Sequence, residues 1–245
     1  MPETARQIAD DLRARIDAGE FGPGRRLPGE PALVREYGVA KMTANGALKL
    51  LVTEGVAVSR PGSGTYVREF KPILRDATKR LSRDQWATGK SIWSADVGER
   101  PMLPTDLEVY EEEAPRWVAR TLGLDDGGRV VIRSRRYLVD GEPVQMATSY
   151  LPADLARDSR IAEPDPGPGG IYKRLAEMGA EPVHFNEDLR ARMPSSEESS
   201  ALSILPGTPV IEICRTAYTS DGKAVEVNRM LLDAGAYALR YSFGS

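Results

Sequence analysis

Between Leu27 and Val67 the chain reads LPGEPALVREYGVAKMTANGALKLLVTEGVAVSRPGSGTYV, and the punctuation of this stretch leaves few ways to fold it. Leu33, Val34 and Tyr37 fall on one face of a short helix, which Gly38 can end by taking the left-handed conformation. From Ala40 onward, Ala44, Ala47, Leu48, Leu51 and Val52 form a stripe of period 3.6. It buries one side of a second helix and leaves Lys41, Met42, Thr43, Asn45 and Lys49 elsewhere on it. After Glu54-Gly55, residues 56–59 and 65–67 read as two short strands around Arg60-Pro61-Gly62-Ser63-Gly64.

Helix, tight turn, helix and glycine-tipped hairpin follow one another in the order of a winged helix-turn-helix, a form that lays its second helix in the DNA major groove. The expected contacts are Lys41, Met42, Thr43, Asn45 and Lys49 from that helix, with Arg60, Ser63, Gly64 and Thr65 from the hairpin tip. The stretch resembles the GntR family of bacterial transcription regulators, whose pattern runs roughly L-P-S-E-x-x-L, G-V-S-R-x-T-V-R-x-A-L, L-x-x-E-G and G-x-G-T-[FY]-V. Its counterparts here are Leu27-Pro28-Gly29-Glu30, Leu33, Gly38-Val39-Ala40-Lys41-Met42-Thr43, Ala47-Leu48, Glu54-Gly55 and Gly62-Ser63-Gly64-Thr65-Tyr66-Val67.

The departures bear on which DNA is read. Ala40 stands where the family has Ser, removing a side-chain N-cap worth roughly 1 kcal/mol. Lys41 replaces an Arg and so lacks the bidentate fork. Asn45 replaces a second Arg, and its amide suits adenine or water. Gly46 costs about 1 kcal/mol of helix propensity relative to Ala. Pro31 stands where an early Arg is common. The implied operator differs from the common family sequence.

At 245 residues the chain is long enough for two domains. It has no run of eighteen apolar residues and a polar N-terminus after Met1-Pro2, which points to a cytoplasmic protein without a membrane span. One cysteine, Cys214, excludes an internal disulfide, and one histidine, His184, leaves too few ligands for an ordinary zinc site. No cofactor motif is present. The net charge of −3 hides an asymmetry: residues 1–72 carry 11 basic against 9 acidic side chains, residues 73–90 carry 5 against 2, and the remainder carries 17 against 25. A DNA-facing end and an acidic module account for that distribution.

In chain order, Ile8, Leu12 and Ile16 predict a first helix over residues 4–18, stopped by Gly19. Arg25 and Arg26 in the following loop suit phosphates or simply water. The DNA-binding domain is expected over residues 1–70 and a second domain over residues 91–245. Between them, the polar and basic residues 71–90 read as a linker with about one helical turn, its cations solvated or touching DNA.

The second domain contains an internal echo. Residues 130–144 resemble residues 209–225, with Tyr137 and Tyr218, Asp140-Gly141 and Asp221-Gly222, and Val144 and Val225 at a constant offset of 81. Each copy reads as strand, Asp-Gly turn, strand. Helical stretches precede them at residues 114–122 and 196–205, and a Pro/Gly loop at residues 164–170 leads into a helix over 171–178. The expectation is an α+β domain with antiparallel strands and a pseudo-repeat.

That order resembles the effector-binding UTRA domain of the HutC branch of the GntR family, whose fold is similar to chorismate lyase. The resemblance implies a pocket between the half-repeats. Relatives that bind phosphosugars use two alternate arginines before the first Asp-Gly turn, a carboxylate after it, a Ser-x-Tyr opening the middle helix and a Glu after the second turn. Carried over, these fall on Arg135 and Tyr137, with Arg133 on the same strand face able to restore the charge. The carboxylate position is near Ala147 and so is lost, Ser-x-Tyr becomes Gly170-Ile171-Tyr172, and the final acid is Glu226. Two guanidiniums on one strand face suit an anionic small molecule, or solvated ion pairs. His184, Asn186, Trp93 and Asn228 are further lining candidates by location alone.

The function implied is a ligand-responsive transcription repressor, acting as a homodimer on a palindromic DNA operator. A constitutive DNA-binding protein whose large domain only dimerises is the first rival. A lyase-like enzyme is the second, although no nucleophile-base pair surrounds His184 and no phosphate-binding glycine loop occurs.

Overall fold

The computed structural model describes residues 3–87, 89 and 92–242. The chain forms two compact units, Met1–Lys71 with Ile204–Thr208, and Pro72–Ser203 with Pro209–Ser245.

In the first unit, α1 (Ala5–Asp17) starts at a capping box in which Thr4 and Gln7 satisfy each other's backbone amides. α2 (Glu30–Tyr37) has Pro31 in its first turn and ends at Gly38 with φ of 65°. α3 (Lys41–Thr53) follows at once, and its cap residue Ala40 supplies no side-chain hydrogen bond. Ile8, Leu12, Leu33, Ala44, Ala47 and Leu51 are fully buried where these helices meet. At the end of α3, Glu54 takes ion pairs from Arg6 and Arg13 of α1. β1 (Ala57–Arg60) and β2 (Gly64–Val67) form the hairpin, Arg60 opposite Gly64, and Arg26 bridges to Tyr66 on its open edge.

Gly46 has a packing reason. A Cβ there would stand 3.2 Å from the Ala5 Cβ, so the lost helix propensity permits α1 and α3 to approach closely. Gly46→Leu is expected to destabilise this unit by about 1–3 kcal/mol through overpacking. Urea unfolding followed by far-UV circular dichroism checks it, and an unchanged midpoint would mean the helices can part without cost.

The second unit opens with β3 (Ile73–Asp76), α4 (Ala77–Arg80), α5 (Arg83–Ala87) and α6 (Ser94–Val97). It continues through β4 (Met102–Glu113), α7 (Arg116–Leu122), β5 (Arg129–Val139), β6 (Glu142–Pro152), α8 (Ala153–Ala156) and α9 (Gly170–Glu177). It ends with β7 (His184–Arg192), α10 (Ser196–Ala201), β8 (Val210–Tyr218), β9 (Ala224–Asp233) and β10 (Tyr237–Arg240). Six strands form one antiparallel sheet in the order β4-β5-β6-β9-β8-β7. Strand, helix and hairpin thus occur twice, and the halves meet where β6 pairs with β9. The echo in the sequence is the visible part of a longer repeat that includes β4 and β7.

The two Asp-Gly turns differ. Asp140 and Gly141 both have positive φ, the pattern of a two-residue type I′ loop. In the second hairpin only Gly222 does, and Thr219 closes a longer loop by bonding Lys223.

Within the expected linker 71–90, residues 72–87 belong to the second unit. β3 pairs in parallel with β10, Ile73 opposite Tyr237, and Ile73, Ala77 and Trp86 are buried. Two of the basic residues that suggested solvent or DNA are interior, Arg75 and Arg80, buried against acids of the same unit, whereas Lys71, Lys79 and Arg83 are exposed as expected. A basic run reads as solvated unless its partners are known, and here they are Glu187, far along the chain, and Asp96. Lys90 lies outside the described residues.

Candidate functional site

Two surfaces carry the residues singled out in the sequence. On α3, Met42 is 87% exposed and the Lys41 side chain is 81% exposed, with Lys49 also in solvent. Thr43 is half-buried. Asn45 is not free: its amide donates to the Glu30 carboxylate, and Lys41 Nζ lies 3.6 Å from that same carboxylate. Glu30, at the start of α2, therefore holds both groups in the unbound protein. On the hairpin, Arg60 lies over the Tyr66 ring, 4.3 Å from its centroid, and Ser63 Oγ is 2.6 Å from the Tyr66 hydroxyl. Gly64 leaves room for Arg26, whose Nε would stand 2.8 Å from a Cβ there, and the Thr65 carbonyl accepts from the Leu27 amide.

The second site is a cavity of about 500 Å³ in the second unit. Strand alternation builds it. On β5, Val130 and Ile132 pack on the α7 side, whereas Arg133, Arg135 and Tyr137 point to the other face and line the cavity. Arg215 from β8 and Glu226 from β9 reach it from the second half-repeat, and Tyr172 from α9 closes that end. The loop at residues 164–170 and the side chains of Ile92, Trp93, Met102, Pro104 and Leu107 form the remaining walls. All five residues carried over from the family resemblance thus line one cavity.

Their states differ. Arg133 is buried and donates to the carbonyls of Ile161, Glu163 and Pro164, so its guanidinium anchors the loop instead of facing a ligand. Burial, with Arg135 alongside, lowers its pKa to about 10. Arg135 donates through Nε to the Tyr137 hydroxyl at 2.6 Å and reaches Ser149 Oγ only at 3.4 Å. Across the strand pair it faces Ala147, where a carboxylate would have met it. Tyr137 stacks on Trp93 with ring centroids 4.0 Å apart.

Tyr172 and Glu226 are both fully buried, and the Tyr172 hydroxyl donates to Glu226 Oε2 at 2.6 Å. Burial pushes the Tyr172 phenol well above its usual range, so it stays a donor. Asn228 is not among the cavity walls and instead supports Glu226 and Ser149 from behind. His184 and Asn186 lie away from it, beside Tyr218 and the second hairpin loop, bonded to each other at 3.0 Å. Of those four candidates only Trp93 is a wall residue.

Arg215 was missed. It is 1% exposed, with Nη2 3.7 Å from Glu226 and Nη1 4.0 Å from Glu187, and its guanidinium lies 5.5 Å from the Tyr172 ring centroid. Burial opposes its charge, but Tyr172, Glu226 and Glu187 outweigh that and raise its pKa. The signal available in the sequence was strand alternation in the second copy of the echo. Behind it, Arg75 grips Glu187 with both terminal nitrogens, and Arg80 Nη1 lies 3.0 Å from Asp96. Burial pushes Asp96 up to about 6 and Arg80 down to about 10.

Comparison with known proteins places both units. Residues 4–67 match the model of bacterial regulatory proteins of the gntR family, and residues 105–238 match the UTRA domain. An HTH-type transcriptional regulator of Streptomyces coelicolor is 33% identical over 97% of this chain and 91% of its own. The HTH-type transcriptional repressor NagR of Bacillus subtilis is 26% identical over 90% of this chain and 86% of its own. A crystal structure of a GntR-family transcriptional regulator superposes with a TM-score of 0.69 at 27% identity, covering 98% of this chain and 97% of that one. With a winged helix-turn-helix at one end and a UTRA domain at the other, the chain belongs to the GntR family of bacterial transcription regulators.

Proposed function

We infer that this regulator is a repressor that binds a palindromic operator as a homodimer, and that a small molecule in the UTRA cavity modulates its DNA affinity. The observation that carries this reading is the coexistence in one chain of an exposed α3 face and a walled cavity in which Arg135, Tyr137, Tyr172, Arg215 and Glu226 converge. The repressor name of NagR supports the sign of the regulation. Dimers of this type present two recognition helices about one DNA turn apart. An effector acts by binding one state of the dimer better than the other, since equal affinity for both shifts nothing.

Fluorescence anisotropy with a duplex from the gene's own upstream region tests this, together with gel filtration at micromolar concentration. The expected result is tight, salt-dependent binding of a dimer, weakened by a compound that also raises the melting temperature. A monomer both free and on DNA would sink the dimer. Failure of every cavity-binding compound to alter DNA affinity would leave a constitutive binder. Conversion of such a compound, followed by chromatography, would support the enzyme reading, against which the appended DNA-reading unit stands.

A further inference from the structure

We propose that the cavity takes an apolar monoanion: a carboxylic acid with an aromatic or aliphatic body, its carboxylate held by Arg135 and Arg215. This rests on the reading of the cavity as an effector site.

The argument begins with charge. Around the cavity and behind it, Arg75, Arg80 and Arg215 are matched by Asp96, Glu187 and Glu226, three against three, at 4.0 Å or less. Arg133 donates from both terminal nitrogens to loop carbonyls. Among the described residues Arg135 has no carboxylate partner, and its cross-strand neighbour is Ala147. Arg215, on the wall of the same cavity, has Nη2 3.7 Å from Glu226 and Nη1 4.0 Å from Glu187, both beyond hydrogen-bond distance. A guanidinium paired only at such distances has a donor, Nη2, to offer an anion that enters the cavity. Counting the wall itself, Arg133, Arg135 and Arg215 face two carboxylates, Asp165 and Glu226, and the surplus is one cation, which a single negative charge meets.

The rest of the wall selects the body of the ligand. Trp93 stacked on Tyr137, with Ile92, Met102, Leu107 and Ile171, presents apolar surface, and the loop adds three prolines. Of the acids in the wall, Asp165 sits on the exposed loop and accepts from the Gly167 amide, and the inner polar groups that could serve sugar hydroxyls are engaged: the Tyr172 hydroxyl with Glu226, and Glu226 with Tyr172 and Asn228. Hydroxyls placed against such a wall would lose water without gaining partners. The volume suits a molecule with one ring or a short chain.

The test uses the full chain and isothermal titration with phenylacetate, 3-phenylpropionate and hexanoate, against phenylacetamide, glucose 6-phosphate and inorganic phosphate. The expected result is saturable binding of at least one carboxylate, at least tenfold weaker in Arg135→Met and absent for the amide. Arg135→Met must retain the wild-type unfolding midpoint, and Arg135→Lys, which keeps the charge without the fork, should fall between the two. Binding of glucose 6-phosphate in preference to every carboxylate overturns the proposal, as does equal carboxylate binding by Arg135→Met or no binding by any carboxylate. Release of operator DNA is read separately. Carboxylate binding that leaves DNA affinity unchanged would retain the ligand class and defeat the regulatory reading. Release by the sugar phosphate would do the reverse.

Discussion

Replacing Lys41 and Lys49 of α3 together by Ala is expected to lower operator affinity at least tenfold and to reduce the slope of log affinity against log salt by about two. Both ammonium groups stand in solvent on the face that the buried stripe of Ala44, Ala47, Leu48 and Leu51 leaves outward. Neither has a packing role, so the fold should be unchanged and the effect confined to binding. Lys41 carries one further condition. It sits near Glu30, which also holds the Asn45 amide, so engaging a phosphate or a base edge requires both to leave that carboxylate. Glu30→Gln should therefore tighten binding to operator and unrelated DNA alike, by a smaller factor than the lysines lose. A double lysine variant that binds as tightly as wild type, at every salt concentration, would move the reading surface off α3.

The largest stability effect is expected inside the UTRA domain, at Glu187→Gln. The Glu187 side chain is 6% exposed, accepts from both terminal nitrogens of the fully buried Arg75, neutralises Arg215 at 4.0 Å and accepts from the Tyr241 hydroxyl at 3.1 Å. Removing its charge leaves a buried cation without its counterion, a change that costs about 3–5 kcal/mol in comparable sites. Replacing both partners, as Arg75→Met with Glu187→Leu, should cost much less, because no charge is then stranded. Urea unfolding of the three proteins distinguishes these outcomes. The pH dependence has a definite sign. Burial pushes the Glu187 carboxyl up, but the hydrogen bonds and charge of Arg75 outweigh it and hold the carboxyl below its usual value. Its contribution is therefore present at neutral pH and is lost as the medium is acidified below the ordinary glutamate range, where wild type and Gln variant should converge. A Gln variant within about 1 kcal/mol of wild type at pH 7 would show that water reaches Arg75.

The order of elements in the DNA-binding unit was legible because each carries a local signal: the stripe on α3, Gly38 between the helices, the glycines at the hairpin tip. So were the two hairpins of the UTRA domain, with their Asp-Gly turns and buried central strands. β4 and β7 were not. They are the sheet's outer strands, and residues such as Glu108, Glu111, Glu112, Asp188 and Arg190 replace the alternation that marks a half-buried strand. The segment from Ile73 to Trp86 was illegible for another reason. Arg75 and Arg80 are interior only because Glu187 and Asp96 meet them, and pairing of that kind leaves no trace in composition. The cavity residues were reached by resemblance, which supplied Arg135, Tyr137, Tyr172 and Glu226. Which of the arginines was already spent on backbone carbonyls, and which had donors to spare, required the structure.

The parallel pairing of β3 with β10 also sets an order of events during synthesis. Helices α1 to α3 and the hairpin lie wholly within residues 5–67 and can fold as soon as they leave the ribosome. β3 cannot: Ile73 must wait for Tyr237, and Arg75 for Glu187. For most of the time the chain is being made, the helices and hairpin of the DNA-reading head are followed by an unpaired strand whose Arg75 lacks its carboxylate. A ribosome that stalls before residue 237 would release a head attached to an open sheet, a fragment suited to degradation more than to regulation.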